Sequence, residues 1–193
     1  MRSRVILASG SPRRKELLAR IVDDFEVVSS NIDECMKKDA MPTEVAIRNA
    51  LEKARIVSSS NSDALVIGAD TVVALDGTII GKPDCPEKAM RILKSLSGRT
   101  HQVITGVAIV HAGRGIERTG SESTEVTFRD LSEEAIKGYV AAGTCLDKAG
   151  GYGIQDIGGE FVRSIAGDYD NAVGLPLKLI SKIMGEMGKM MGS

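Results

Sequence analysis

The stretch LASGSPRRKELL, residues 7–18, sets Ser9, Gly10, Ser11 and Pro12 before three consecutive cations, Arg13, Arg14 and Lys15, where an apolar run gives way to a helical pattern. A helix N-terminus offers unpaired N–H groups and a partial positive charge, so it attracts anions. Cations in that first turn oppose the helix dipole, and their placement points to a negative ligand. Ser9, Gly10 and Ser11 let backbone and hydroxyl groups approach phosphate oxygens, while Arg13 or Arg14 can grip them in bidentate fashion. A second anomaly is Asp70, which with Thr71 interrupts the apolar run ALVIGADTVVAL. A buried carboxylate is costly to keep charged, so it requires a cation, a metal or a set of donors, and such a site is a candidate for chemistry.

Other residues could complete a polyphosphate site. A hard divalent ion such as Mg²⁺ takes one or two carboxylates together with phosphate oxygens, a role open to Glu34 and Asp70. Lys53 lies in a predicted helix, and Lys82 of GKP points an ammonium group from a tight turn after a strand. Gln155 can read a base edge because a carboxamide both donates and accepts. GTIIGKP is one residue short of a P-loop and has Pro83 in place of the metal-binding Ser or Thr. His101 and His111 have no Cys or His at zinc-ligand spacing.

The elements that must position these residues follow from periodicity. RVILAS reads as a buried strand, and Ser11 followed by Pro12 starts a helix running to about Ile21. DFEVVSSNIDE reads as a short strand entering a loop. TEVAIRNALEKARIVSS has apolar residues near a 3.6 period with Thr43 as the expected N-cap. ALVIGADTVVALDGTIIGKP reads as strand, polar interruption, strand, then an Asp76-Gly77 hairpin turn. CPEKAMRILKSLSG is a helix ended by Gly98, residues 101–131 form a long hairpin, and SEEAIKGYVAAG is a helix between Ser132 and Gly143. DKAGGYGIQDIGG reads as a glycine-rich loop before the strand EFVRSIAG, and a last helix carries Leu177, Ile180, Met184 and Met187 on one side. Interleaved strands and helices without a repeat predict an α/β fold around a mixed sheet.

At 193 residues the chain suits one domain with a sizeable core, or one domain split into two lobes by a cleft. Its 25 basic and 26 acidic residues leave a net charge of −1, which provides no global attraction for nucleic acid or an anionic membrane, so a basic site must be local. Without tryptophan, and with three phenylalanines and three tyrosines, it lacks an aromatic platform for nucleic-acid strands. Cys35, Cys85 and Cys145 suit neither a CxxC pair nor a disulfide framework, which fits a reducing cytosol. No segment is long enough to cross a bilayer, and the first apolar run is too short for a signal peptide, so a soluble cytoplasmic protein is expected.

ASGSPRRKELL, IDE, EKA, IGADTVV, GKP, LSGRTHQVITGV, DKAGGYGIQ and DYDNAVGLP, in this order between residues 7 and 176, together resemble the Maf family of nucleoside triphosphate pyrophosphatases. The resemblance implies an elongated α/β fold with a central mixed β-sheet flanked by helices and two lobes around a nucleotide cleft, like the inosine triphosphate pyrophosphatases, in a single domain spanning 1–193. It implies hydrolysis of a nucleoside triphosphate to the monophosphate and pyrophosphate with a divalent metal, Mg²⁺ or Mn²⁺, and suggests a homodimer. Asp70 would be the proton acceptor. Arg13, Thr71 and Gln155 would select the base, Ser9, Ser11, Arg14, Lys53 and Lys82 would hold the triphosphate, and Glu34 with Asp70 would bind metal. The DKAGGYGIQ form resembles the subfamily acting on dTTP and UTP. Gly151 replaces the usual alanine, which would loosen the base-facing loop, and Ala172 replaces a valine. A nucleotidyltransferase, or a non-catalytic nucleotide sensor regulating cell division, would use the same phosphate grip.

Overall fold

A run of three apolar residues with no polar alternation is suited to a strand covered on both faces. Val5–Leu7 (β1) is such a strand: buried throughout and parallel to both its neighbours in a mixed sheet that has seven strands among the described residues. The structure is a computed structural model and describes residues 4–30, 32 and 40–191. The other strands are β2 (Glu26–Val27), β3 (Leu65–Leu75), β4 (Thr78–Ile80), β5 (Thr100–His111), β6 (Ile116–Phe128) and β7 (Val162–Ala166). Their order is β2-β1-β3-β5-β6-β7, and β4 folds back onto β3 through an Asp76-Gly77 turn in which both residues have positive φ. The helices are α1 (Pro12–Leu18), α2 (Pro42–Ser59), α3 (Pro86–Leu96), α4 (Glu133–Ala141), α5 (Ile154–Phe161), α6 (Tyr169–Val173) and α7 (Leu177–Met191). None of the described helices is long and apolar enough to cross a membrane. The expected α/β class with a mixed sheet is the observed one.

Alternation along β3 divides the core. Leu65, Ile67, Ala69 and Val73 join the larger cluster with residues of α1, α3, α4 and α7. Val66, Val72 and Ala74 face α2 instead. That helix lies almost directly on the sheet because glycine leaves it room. A Cβ on Gly106 would stand 2.2 Å from the Ala46 carbonyl carbon, and one on Gly68 would stand 2.3 Å from the Ala50 carbonyl oxygen. Gly106 is also the register partner of Asp70 across β3 and β5. The glycine contact therefore brings α2 close at the level of the unusual carboxylate.

The strand pairing also opens a gap. One edge of β3 is paired with β5 from Val66 to Ala74. The opposite edge pairs with β1 over Leu65–Ile67 and with β4 over Val73–Leu75. Residues 68–72 of that second edge have no strand partner among the described residues. Asp70 and Thr71 sit in this gap, one directed to each face.

Several elements differ from expectation. β3 is one unbroken strand, because alternation gives Asp70 and Thr71 opposite faces and each finds polar partners there. α1 stops at Leu18, and α2 has Met41 at its N-cap with Pro42 following, so Thr43 lies inside the helix. The glycine-rich segment contains a short 3₁₀ turn, Ala149–Gly151, and then α5. Burial of Ile154, Ile157 and Phe161 at helical spacing outweighs the poor helix propensity of glycine. Gly151 has φ +71, a conformation that alanine adopts only with strain, so glycine suits this turn rather than loosening it. α6, a short helix within DYDNAVGLP, is capped by Asp168, whose Oδ1 accepts from the N–H groups of Asp170 and Asn171 at 2.8 and 3.2 Å.

Candidate active site

The turn after β1 is built by its own serines. Ser11 caps α1 by accepting from the Arg14 N–H at 3.4 Å, and its own N–H donates to Ser9 Oγ at 3.3 Å. The cations that follow diverge. Lys15 is exposed, whereas Arg13 and Arg14 are half-buried and line a cavity of about 300 Å³. Arg14 works as a brace: Nε donates to the Gly174 carbonyl at 2.9 Å, Nη2 to Thr71 Oγ1 at 3.0 Å and Nη1 to Ser9 Oγ at 3.3 Å. One planar guanidinium thus ties the first turn, β3 and the loop after α6 together, which a lysine could not do. Thr71 extends the network to Thr105 Oγ1 at 3.0 Å.

Asp70 is 3% exposed on the α2 face. Lys53 Nζ donates to its Oδ1 at 2.6 Å, and Asn49 Nδ2 donates to its Oδ2 at 3.0 Å. Lys53 and Asn49 are four residues apart on α2 and so share one helix face. Of the three kinds of partner that the sequence left open for this carboxylate, the fold supplies a cation and a donor. The gap in β3 lets Asp70 and Thr71 line the same cavity although they belong to opposite faces. Ser11, Arg13, Arg14, Lys82 and Gln155 line it too, so seven of the expected residues converge. Ser9 and Lys53 stand behind this wall, bonded to Arg14 and Asp70. A second cavity of about 330 Å³ shares Asp70, Thr71 and Lys82 and extends toward β4.

The floor of the site comes from the glycine-rich segment. Lys148 is buried, donates to the Thr144 carbonyl and to Asp147 Oδ1 at 2.8 Å, and lies 3.6 Å from Asp156 Oδ2. Burial acts to raise the Asp147 carboxyl, but the Lys148 hydrogen bond and the charges of Lys148 and Arg13 outweigh it and hold the group below its usual range. Lys148 and Asn49 carry weaker sequence signals: Asn49 is a polar residue on an otherwise apolar helix face, and Lys148 a cation inside a glycine-rich motif.

Tyr152, also lining the cavity, is held by His101, whose Nε2 lies 2.5 Å from the phenolic oxygen. Burial lowers the His101 pKa from 6.5 to about 4. The unfolded chain therefore binds a proton at higher pH than the folded one. The stability linked to neutral His101 is fully present above pH 6.5 and is lost as pH falls toward 4. Replacement by the non-titrating His101→Gln should flatten this dependence. Between pH 7 and pH 4, urea denaturation should show wild type losing up to about 3 kcal/mol more than the variant; parallel curves would contradict the assignment.

Among the described residues no group of three or more His, Cys, Asp or Glu side chains comes together. Each Asp70 oxygen accepts one protein donor and retains a further lone pair, and the residue lines the cavity. A Mg²⁺-type ion that uses one carboxylate and completes its shell with phosphate oxygens and water fits this arrangement. Glu34, the other expected ligand, lies outside the described residues.

The family model described as "Maf-like protein" matches residues 4–187. The chain belongs to the Maf-like family. This Maf-like protein is 50% identical over 186 residues to a protein of Moorella thermoacetica named dTTP/UTP pyrophosphatase, covering 96% of each chain. It is 49% identical to a Thermococcus onnurineus protein of the same name, covering 93% of this chain and 95% of that one. Among solved structures, a HAM1 protein from Coxiella burnetii superposes with a TM-score of 0.46 at 13% identity, covering 66% of this chain and 74% of the other.

Proposed function

We propose that this Maf-like protein hydrolyses dTTP and UTP to the nucleoside monophosphate and pyrophosphate. The observation that carries the reading is the Asp70 carboxylate, held by Lys53 and Asn49 on the wall of a cavity that also presents Arg13, Arg14 and Lys82. Such an arrangement suits a polyanion that must be bound, neutralised and attacked. The names of the two relatives supply the substrate class.

In this mechanism Asp70 takes the proton from a water molecule as its oxygen attacks the α-phosphorus. The bond from that phosphorus to the α,β-bridging oxygen breaks, and pyrophosphate leaves. Arg14 and Lys82 neutralise charge on the phosphate chain, while the Ser11 hydroxyl and the Arg13 N–H at the start of α1 offer it donors. Ser9 and Lys53 act at one remove, by fixing Arg14 and Asp70. Thr71, Gln155 and Arg13 face the base. Asp70, with Glu34 as the resemblance implies, would hold a Mg²⁺ or Mn²⁺ ion, which when bound supplies further neutralisation of the triphosphate. We also place the protein in the cytoplasm, on the substrate class, and take its assembly as the homodimer suggested by the resemblance, which sedimentation velocity tests.

The test is to incubate wild type with dTTP or UTP and Mg²⁺ or Mn²⁺, with no other substrate. One pyrophosphate per nucleotide consumed is expected. Pyrophosphate only after addition of a sugar phosphate would indicate nucleotidyl transfer, and tight binding without consumption would indicate a sensor; either result would overturn the proposal.

A further inference from the structure

The placement of Asn49 requires a reason. It is fully buried on a face of α2 formed largely by Val45, Ala46, Ala50, Ala54 and Val57. Nothing in the packing of that face calls for an amide. Its Nδ2 donates to Asp70 Oδ2 at 3.0 Å, while its Oδ1 has no partner among the described residues. Rotating the amide by half a turn would set its oxygen against the carboxylate oxygen, so the donor must be the group facing Asp70. An apolar residue would fill the space without an orphaned buried acceptor. Such an orphan in a folded protein calls for an explanation, and a functional role is one.

The geometry points to Asn49 as a positioning residue that fixes the plane of the Asp70 carboxylate. Lys53 alone, on Oδ1, leaves the group able to turn about its Cβ–Cγ bond. A second donor on Oδ2 removes that freedom and holds both oxygens in one orientation toward the cavity. Rigidity of both donors comes from α2, which cannot drift because Gly68 and Gly106 seat it on the sheet. Asn49 touches no substrate in this account and does not line the cavity. Its effect should therefore fall on the chemical step and spare binding.

This inference rests on the proposed role of Asp70. The test uses Asn49→Leu, close in size but unable to donate, and Asn49→Ser, smaller and equally unable to reach Asp70, in case the leucine variant does not fold. For dTTP with Mg²⁺, kcat should fall about ten- to a hundredfold in each folded variant. KM, and the Kd of the uncleavable analogue α,β-imido-dUTP, should stay within about twofold of wild type. Unchanged kcat in a folded variant, or kcat and analogue affinity falling together, would overturn the inference. Asp70→Asn is assayed alongside. If it is inactive while Asn49→Leu is normal, only the role of Asn49 fails. If it turns over near the wild-type rate, the role of Asp70 fails and that of Asn49 with it.

Discussion

Asp70→Asn is expected to lower kcat for dTTP by about 10²–10⁴-fold, the usual contribution of a positioned general base. The amide keeps the shape of the side chain and loses both the proton-accepting oxygen and the negative charge. The structure adds a second consequence. Lys53 is 7% exposed and its Nζ stands 2.6 Å from Asp70 Oδ1, so the substitution also breaks a buried ion pair. Removal of one partner from such a pair costs about 3–5 kcal/mol, because the other charge stays buried. The variant should therefore melt at a lower temperature, and activity has to be compared well below that melt. The double variant Asp70→Asn with Lys53→Met should recover part of the stability and none of the turnover. Near-normal turnover by folded Asp70→Asn, with metal saturating, would contradict the role assigned to this carboxylate.

Gly106→Ala is the second large effect. The added methyl would lie 2.2 Å from the Ala46 carbonyl carbon, 2.3 Å from its oxygen and 2.4 Å from the Ile47 nitrogen. All three are helix backbone atoms, so no side-chain rotation relieves the overlap and α2 must lift. Overpacking in a well-filled core costs about 1–3 kcal/mol, and a backbone clash belongs at the upper end of that range. The lift also draws Lys53 and Asn49 away from Asp70, so kcat should fall in the fraction that remains folded. Denaturant unfolding together with dTTP turnover checks both effects. An unchanged midpoint with wild-type turnover would show that α2 is not seated by this contact.

Much of this site is legible in the sequence because its residues violate local expectation. Arg13 and Arg14 oppose a helix dipole, Asp70 breaks an apolar run, and Lys82 stands in a tight turn. Each violation implies a ligand or a partner, and all of these residues reach one cavity. The partner of Asp70 was not legible. It depends on how closely α2 approaches β3, which is set by two glycines at residues 68 and 106, far from Asn49 and Lys53 along the chain. The carboxylate's access to the cavity was equally hidden, because it arises from pairing: β1 and β4 share one edge of β3 and leave a gap between them. Propensity misled where tertiary burial was stronger. Gly158 and Gly159 argued for a loop, yet Ile154, Ile157 and Phe161 pin that segment as a helix. The reverse applies at Asp70-Thr71, where two polar residues interrupt the apolar pattern without interrupting the strand.

In the proposed reaction water, with Asp70 taking its proton, attacks the α-phosphorus. Turnover of dTTP in ¹⁸O-labelled water, with products resolved by mass spectrometry, tests it most directly. One labelled oxygen is expected in the nucleoside monophosphate and none in the pyrophosphate. Label in the pyrophosphate, or release of orthophosphate in its place, would contradict it.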